Sequence, residues 1–228
     1  MQHFQPKRRI DLVIFDCDGV LVDSEVLSAQ VLTALMAEAG MPITPEVFRS
    51  DFLGRSFASA SARAAQRFGK PFPEDLNATY RARLLEAMVG QLHPMPGVEA
   101  VLAALCVPFC LATSSSPQRL AVSMAESRLA PWFEGRSFTA SEVQNGKPAP
   151  DLFLHAAKSM EHEPENTLVI EDSEIGLRAA QAANMTVWHF RGGGHLSGRA
   201  VQLETTPQRV LDSMPALLDA FREIGIAK

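Results

Sequence analysis

The sequence predicts an α/β fold, a doubly wound parallel sheet that carries an inserted all-helical segment. Three observations predict it. Residues 10–15, IDLVIF, form a nearly continuous apolar run, the pattern of a strand buried on both faces. Residues 24–90 show helical periodicity and no strand signal. Beyond the turn-like HPMPGV, helical and strand patterns alternate, which argues for a parallel sheet covered by helices.

The elements follow in order. After the first strand, SEVLSAQVLTALMAEAG reads as an amphipathic helix stopped by Gly40. TPEVFRSDFLG opens a second helix, with Thr44 as its cap and Pro45 as its first helical residue. SFASASARAAQRFG and PEDLNATYRARLLEAMVG add two more, each closed by glycine. Residues 98–105 are then helical and VPFCLAT is a strand. PQRLAVSMAESRL is a helix opening on Pro117, and GRSFTAS is a short strand. APDLFLHAAKSM, TLVIE, SEIGLRAAQAANM and TVWHF continue as helix, strand, helix and strand, and SMPALLDAFREIG closes the chain as a helix. The expected division is a core of residues 1–23 and 91–228 with a helical cap of 24–90.

Composition narrows the function classes. Apolar residues make up 46% of the 228, as in ordinary globular proteins. No uncharged apolar run approaches the roughly 18 residues of a membrane span. The basic start MQHFQPKRR precedes an apolar stretch that is too short and too charged for a signal peptide. A net charge of −5 without a long basic run disfavours nucleic acid. Cys17, Cys106 and Cys110 show neither a CxxC pair nor zinc spacing, and read as small core residues of a reducing compartment. A cytoplasmic monomer acting on a small molecule is the expectation.

Parallel sheets bind ligands beyond the carboxyl ends of their strands. Here Asp16 and Asp18 follow the first strand, Thr113, Ser114, Ser115 and Ser116 follow FCLA, and Glu171 and Asp172 follow TLVI. Carboxylates gathered on one rim repel unless a cation or proton sits among them. A hard divalent ion such as Mg²⁺ suits oxygen ligands beside a phosphate. A lone DxD also serves as a turn or a helix cap, but a second acidic pair at another strand end weakens that reading. Asp16, aimed by the strand, is suited to attack phosphorus. Asp18 is suited to protonate the leaving oxygen and later to take a proton from water. Thr113 can donate to a phosphoryl oxygen, and Lys147, in the proline-flanked KPAPD, can supply a point charge. A solvated loop lysine is the plainer alternative for Lys147.

DCDGVLVDSE, LATSSS, GKPAPDLF and VIEDSEIGLRAA, occurring in that order, resemble the four motifs of the haloacid dehalogenase superfamily, in its phosphatase branch with a helical cap. The resemblance spans residues 11–190 and implies a Rossmann-like core with a movable cap. By motif position Asp16 resembles the nucleophile and Asp18 the general acid/base. Thr113 resembles the phosphoryl-binding hydroxyl, with Ser114 and Ser115 beside it, and Lys147 the third-motif lysine. Asp172 resembles the Mg²⁺ ligand, with Glu171 as a second acidic contributor. The resemblance adds the Asp16 carboxylate and the Asp18 backbone carbonyl to the metal's ligands. An aspartate at position 18 implies phosphate-ester chemistry rather than dehalogenation. The core motifs resemble both β-phosphoglucomutase and sugar-phosphate phosphatases of the 6-phosphogluconate phosphatase type. The mutases carry a cap histidine near the position of Ser28, and this chain has no histidine between Glu25 and Gly90, which favours a phosphatase of a sugar phosphate or a similar small metabolite.

Arg55, in the loop FLGRS, is the candidate contact for an anionic end of the substrate, because a guanidinium matches carboxylate or phosphate as a fork. Arg81 and Arg83 are second candidates, each with a solvated helix arginine as the alternative. RGGGHLSG follows a late strand and lacks the GxGxxG context of a dinucleotide site. It is expected to border the site, with His195 as an exposed loop residue. Trp132 and Trp188 are expected to pack in or at the rim of the core.

Overall fold

The fold was read from a computed structural model, which describes residues 9–44, 47–48, 51–52, 57–196 and 203–228. The strand order is decided at β1 (Leu12–Phe15), which hydrogen-bonds to parallel neighbours on both sides. Phe15 lies opposite Leu111 of β2 (Phe109–Thr113) and opposite Ile170 of β4 (Thr167–Glu171). With β3 (Ser137–Thr139), β5 (Thr186–Phe190) and β6 (Arg209–Leu211), the sheet runs β3-β2-β1-β4-β5-β6, parallel throughout. Chain direction across the sheet reverses beside β1, so a crevice opens there at the strands' carboxyl ends.

The apolar run of β1 follows from burial on both faces. Val13 and Phe15 enter one cluster with Phe109, Leu111, Ile170 and Phe221. Leu12 and Ile14 enter the opposite cluster with Cys110, Phe153, Val169 and Leu177. All four β1 side chains are fully buried, each contributing roughly 1.5–3 kcal/mol over exposure. Helices cover the faces: α4 (Val98–Ala104), α5 (Pro117–Glu126), α6 (Ala130–Phe133), α7 (Asp151–Ser159), α8 (Glu174–Ala182) and α9 (Met214–Glu223).

Between β1 and α4 the described elements are helical: α1 (Glu25–Glu38), α2 (Phe57–Phe68) and α3 (Leu76–Met88). They enclose a third cluster that includes Leu35, Met36, Phe48, Phe52, Phe72 and Leu76. Gly40, at φ +71°, takes the left-handed turn that ends α1, as the sequence predicts. Thr44 accepts from the backbone N–H of Val47, which fits its expected cap, whereas Pro45 lies outside the described residues. The chain leaves the sheet at Val22 and returns at Pro94, and these two passages form an antiparallel bridge.

The strand β6 and the short helix α6 are absent from the sequence reading. β6 has three residues, sits on the sheet edge and leaves Val210 exposed, so it is too short and too mixed to show a strand period. Cys17 and Cys110 are buried as expected, but Cys106 is exposed, in the turn before β2, and is not a core residue. Trp188 is buried and stacks on Phe221 at a centroid distance of 5.6 Å. No helix of the described residues is long and apolar enough to cross a membrane.

Candidate active site

The register that pairs Phe15 with Leu111 and Ile170 sends Asp16, Thr113, Glu171 and Asp172 to one rim. Asp16 N donates to Ile170 O at 3.0 Å, so strand pairing continues to this residue and aims its side chain. The next turn folds tightly: Gly19 N donates to Val22 O, and Gly19 stands at φ +78°. Its bare Cα is required on two counts. A Cβ there would lie 1.9 Å from Asp172 Oδ2, and the backbone angle already excludes most side chains. Gly19→Ala is therefore expected to push Asp172 aside. Strain of roughly 1–3 kcal/mol would lower the melting temperature by several degrees. Thermal melts with and without Mg²⁺ check both effects.

Lys147 is buried at the centre. Its Nζ donates to Asp16 Oδ1 at 2.6 Å, Glu171 Oε1 at 2.8 Å and Ala112 O at 3.1 Å, and it lies over the Phe153 ring. Only 2% of its side chain is exposed, so the solvated alternative fails. Burial opposes its charge, but Asp16 and Glu171 outweigh that and hold the ammonium above the usual lysine range. Glu171 is fixed from the other side: its Oε2 accepts from the N–H and hydroxyl of Ser173, the cap residue of α8.

Asp16, Glu171 and Asp172 each offer an oxygen within 4.8 Å of the others, and all three are buried. Burial, then the neighbouring carboxylates, pushes the Asp16 and Asp172 carboxyls well above the usual range, with Lys147 only partly offsetting this. Three carboxylates share the single Lys147 ammonium, and the donor atoms they offer are all hard oxygens. These residues fit a divalent cation of the Mg²⁺ type.

Asp18 stands apart from that trio. Its Oδ1 accepts from Ser24 Oγ and from Arg119 Nη2 at 2.7 Å, and its Oδ2 accepts from Ser115 Oγ at 2.6 Å. Burial alone would raise its pKa, but Arg119 and the two hydroxyls bring it below the usual value. Thr113 is buried, and its Oγ1 accepts from Ser115 N at 3.0 Å, whereas Ser114 is exposed.

The glycine loop after β5 does border the site. Gly194 N donates to Asp23 Oδ1 at 3.1 Å, tying the loop to the turn after β1. His195 corrects the expectation of an exposed loop residue. Its side chain is 9% exposed, and Nε2 lies 3.1 Å from Asp172 Oδ2. His189, within β5, donates from Nε2 to Asp172 O at 3.0 Å and so braces the same residue from below. Arg81 and Arg83 are exposed and face Asn77 and Glu38, and Arg55 lies outside the described residues.

Sequence reasoning missed Ser24, Arg119 and His189. Ser24 had a signal, since it closes the acidic motif DCDGVLVDSE. Arg119 had none beyond its place in an ordinary helix.

A family model for haloacid dehalogenase-like hydrolases matches residues 10–184. The chain belongs to that family. It is 29% identical over 188 residues to 6-phosphogluconate phosphatase of Escherichia coli K12, covering 82% of this chain and 85% of that protein. It is 33% identical to a probable pseudouridine-5′-phosphatase of Drosophila melanogaster, covering 79% and 81%. Among solved structures, a haloacid dehalogenase family hydrolase from Deinococcus radiodurans, with bound phosphate and sodium, superposes with a TM-score of 0.82 at 33% identity, covering 97% of this chain and 99% of that one. The enzyme class expected from the sequence, a phosphatase of this family, agrees with these relatives.

Proposed function

We propose that the protein is a Mg²⁺-dependent phosphatase that hydrolyses a small phosphorylated metabolite, in the first instance a sugar phosphate, through an aspartyl phosphate on Asp16. The observation that carries this reading is the buried set in which Lys147 bridges Asp16 and Glu171 while Asp172 completes an acidic trio. Mg²⁺ would be held by Asp16, Asp172 and the Asp18 backbone carbonyl, with Glu171 in reach. When bound, it would neutralise charge on the phosphoryl oxygens.

An oxygen of Asp16 attacks phosphorus while the ester P–O bond breaks. Asp18, which Arg119, Ser24 and Ser115 hold as the carboxylate in this arrangement, takes up a proton from solvent as substrate binds and gives it to the departing oxygen. Water then attacks the aspartyl phosphate and loses a proton to Asp18. The bond from phosphorus to Asp16 breaks, and inorganic phosphate leaves. Lys147 and the Thr113 hydroxyl hold the phosphoryl oxygens, with Ser114 at the rim, while Ser115, whose hydroxyl donates to Asp18, would reach them only by giving up that bond. Lys147 also offsets part of the burial that works against the ionised form of Asp16. Arg55 is assigned to an anionic end of the substrate, and helices 24–90 to a cap that excludes water during transfer. A cytoplasmic monomer is part of the same reading.

A hexose-phosphate mutase is the second reading, supported by the shared core motifs and disfavoured by a buried Ser28 where those enzymes carry histidine. The test is phosphate release across a panel of sugar phosphates, nucleotides and phosphorylated acids, with Mg²⁺ or with EDTA. Release from a subset of sugar phosphates, lost in EDTA and restored by Mg²⁺, is the expected result. Isomer interconversion without net phosphate release would favour the mutase. Release unaffected by EDTA would remove the metal from the reading.

A further inference from the structure

We infer that Arg119 is a positioning residue that holds the Asp18 carboxylate in place for proton transfer to the leaving group. The inference rests on the phosphatase reading above and deepens it. Three donors from three separate parts of the chain converge on Asp18: Ser24 just ahead of α1, Ser115 in the loop after β2, and Arg119 in the first turn of α5. Only Arg119 brings a charge. Its guanidinium is 20% exposed and the Asp18 side chain 16%, so their 2.7 Å contact is shielded from water in a way that surface pairs are not.

The arm is itself anchored. Arg119 N donates to Ser116 Oγ, the N-cap of α5, which fixes the backbone from which the side chain reaches. The same Nη2 lies 3.9 Å from Glu25 Oε1 at the start of α1, and Tyr80 of α3 is close enough to act on its charge. One guanidinium thus meets the nucleophile's turn and the start of the first helix of the helical segment. A carboxylate on a single Cβ can rotate out of line easily, and a general acid misplaced by about 1 Å loses much of its effect. The charge itself favours the ionised carboxylate, so what Arg119 contributes is orientation: of the three donors on Asp18 it alone is an ion, and the other two are neutral hydroxyls.

A competing role exists. The Nε of Arg119 is buried with no hydrogen-bond partner among the described residues, so the side chain could instead grip substrate. The leaving group separates the two. A sugar alkoxide needs a proton as it departs, whereas 2,4-dinitrophenolate does not.

The experiment compares kcat/KM for the unaltered protein, R119A and R119K on 2,4-dinitrophenyl phosphate and on the best alkyl phosphate from the panel. This constant reports phosphoryl transfer to Asp16 and excludes the later water step. In R119A the alkyl ester is expected to lose about 100-fold, mostly in kcat, within the range of a general acid's contribution. The aryl ester loses at least tenfold less, and its turnover shows that the variant is folded. R119K, which keeps the charge without the planar fork, is expected to recover part of the loss. Equal losses on both esters, or a loss confined to KM, would overturn the inference and leave the phosphatase reading standing. No phosphate release from either ester by the unaltered protein would overturn the phosphatase reading itself, and the inference with it.

Discussion

Asp16→Asn is expected to abolish phosphate release, by about 10⁴-fold or more, while the protein stays folded. The amide keeps the side chain's shape but gives up the oxygen nucleophile, and no other route splits the reaction into two steps. Stability is expected to change little or to rise. Asp16 is one of three crowded buried carboxylates, and burial with its like-charged neighbours already works against its ionised form. Removing that charge relieves repulsion, and Lys147 retains Glu171 at 2.8 Å. Steady-state phosphate release and thermal melts of the same preparation check both parts. Activity close to that of the unaltered protein would refute Asp16 as nucleophile.

Lys147→Ala is expected to produce the opposite pattern, losing stability along with activity. Asp16 and Glu171 each lose their only ammonium donor among the described residues, and both are buried. Breaking a buried ion pair from one side costs about 3–5 kcal/mol, because a charge is left uncompensated. For a chain of this size that is a fall of roughly 6–20 °C in melting temperature. Mg²⁺ is expected to recover more of the loss in this variant than it adds to the unaltered protein, since among the described residues no lysine or arginine then pairs with the acidic trio. Melting curves with and without Mg²⁺ measure this. A variant that melts within a degree or two of the unaltered protein would mean that Lys147 is not the electrostatic keystone of the site.

The two substitutions separate the requirements of the site. Asp16 is held at a cost, by its backbone bond to Ile170 and by Lys147, so its loss removes chemistry without removing support. Lys147 is what makes that arrangement tolerable. Glycines serve the same end by sparing volume. A Cβ on Gly176 would stand 1.8 Å from Glu171 Oε1, so α8 can pack this closely only without a side chain there.

The sequence by itself determined the local quantities. The run IDLVIF required burial on both faces, and both faces of β1 are indeed buried. Asp16, Thr113, Glu171 and Asp172 had to fall where apolar strands end, because a polar residue cannot continue a buried strand unpaired. Their order in the chain was enough to reveal the resemblance to a hydrolase family. Tertiary structure decided which of these groups touch. Lys147 could be read as a solvated loop residue until the fold brought it 131 positions back along the chain to Asp16. His195 passed for exposed until the loop after β5 folded against Asp172, and Arg119 passed for an ordinary helix residue until α5 set it beside Asp18, 101 positions away. Periodicity records which face of an element is dry, since burial acts on each residue in turn. Pairwise electrostatics depends on distances of a few ångströms between elements, and those distances exist only once the sheet has set its order and register.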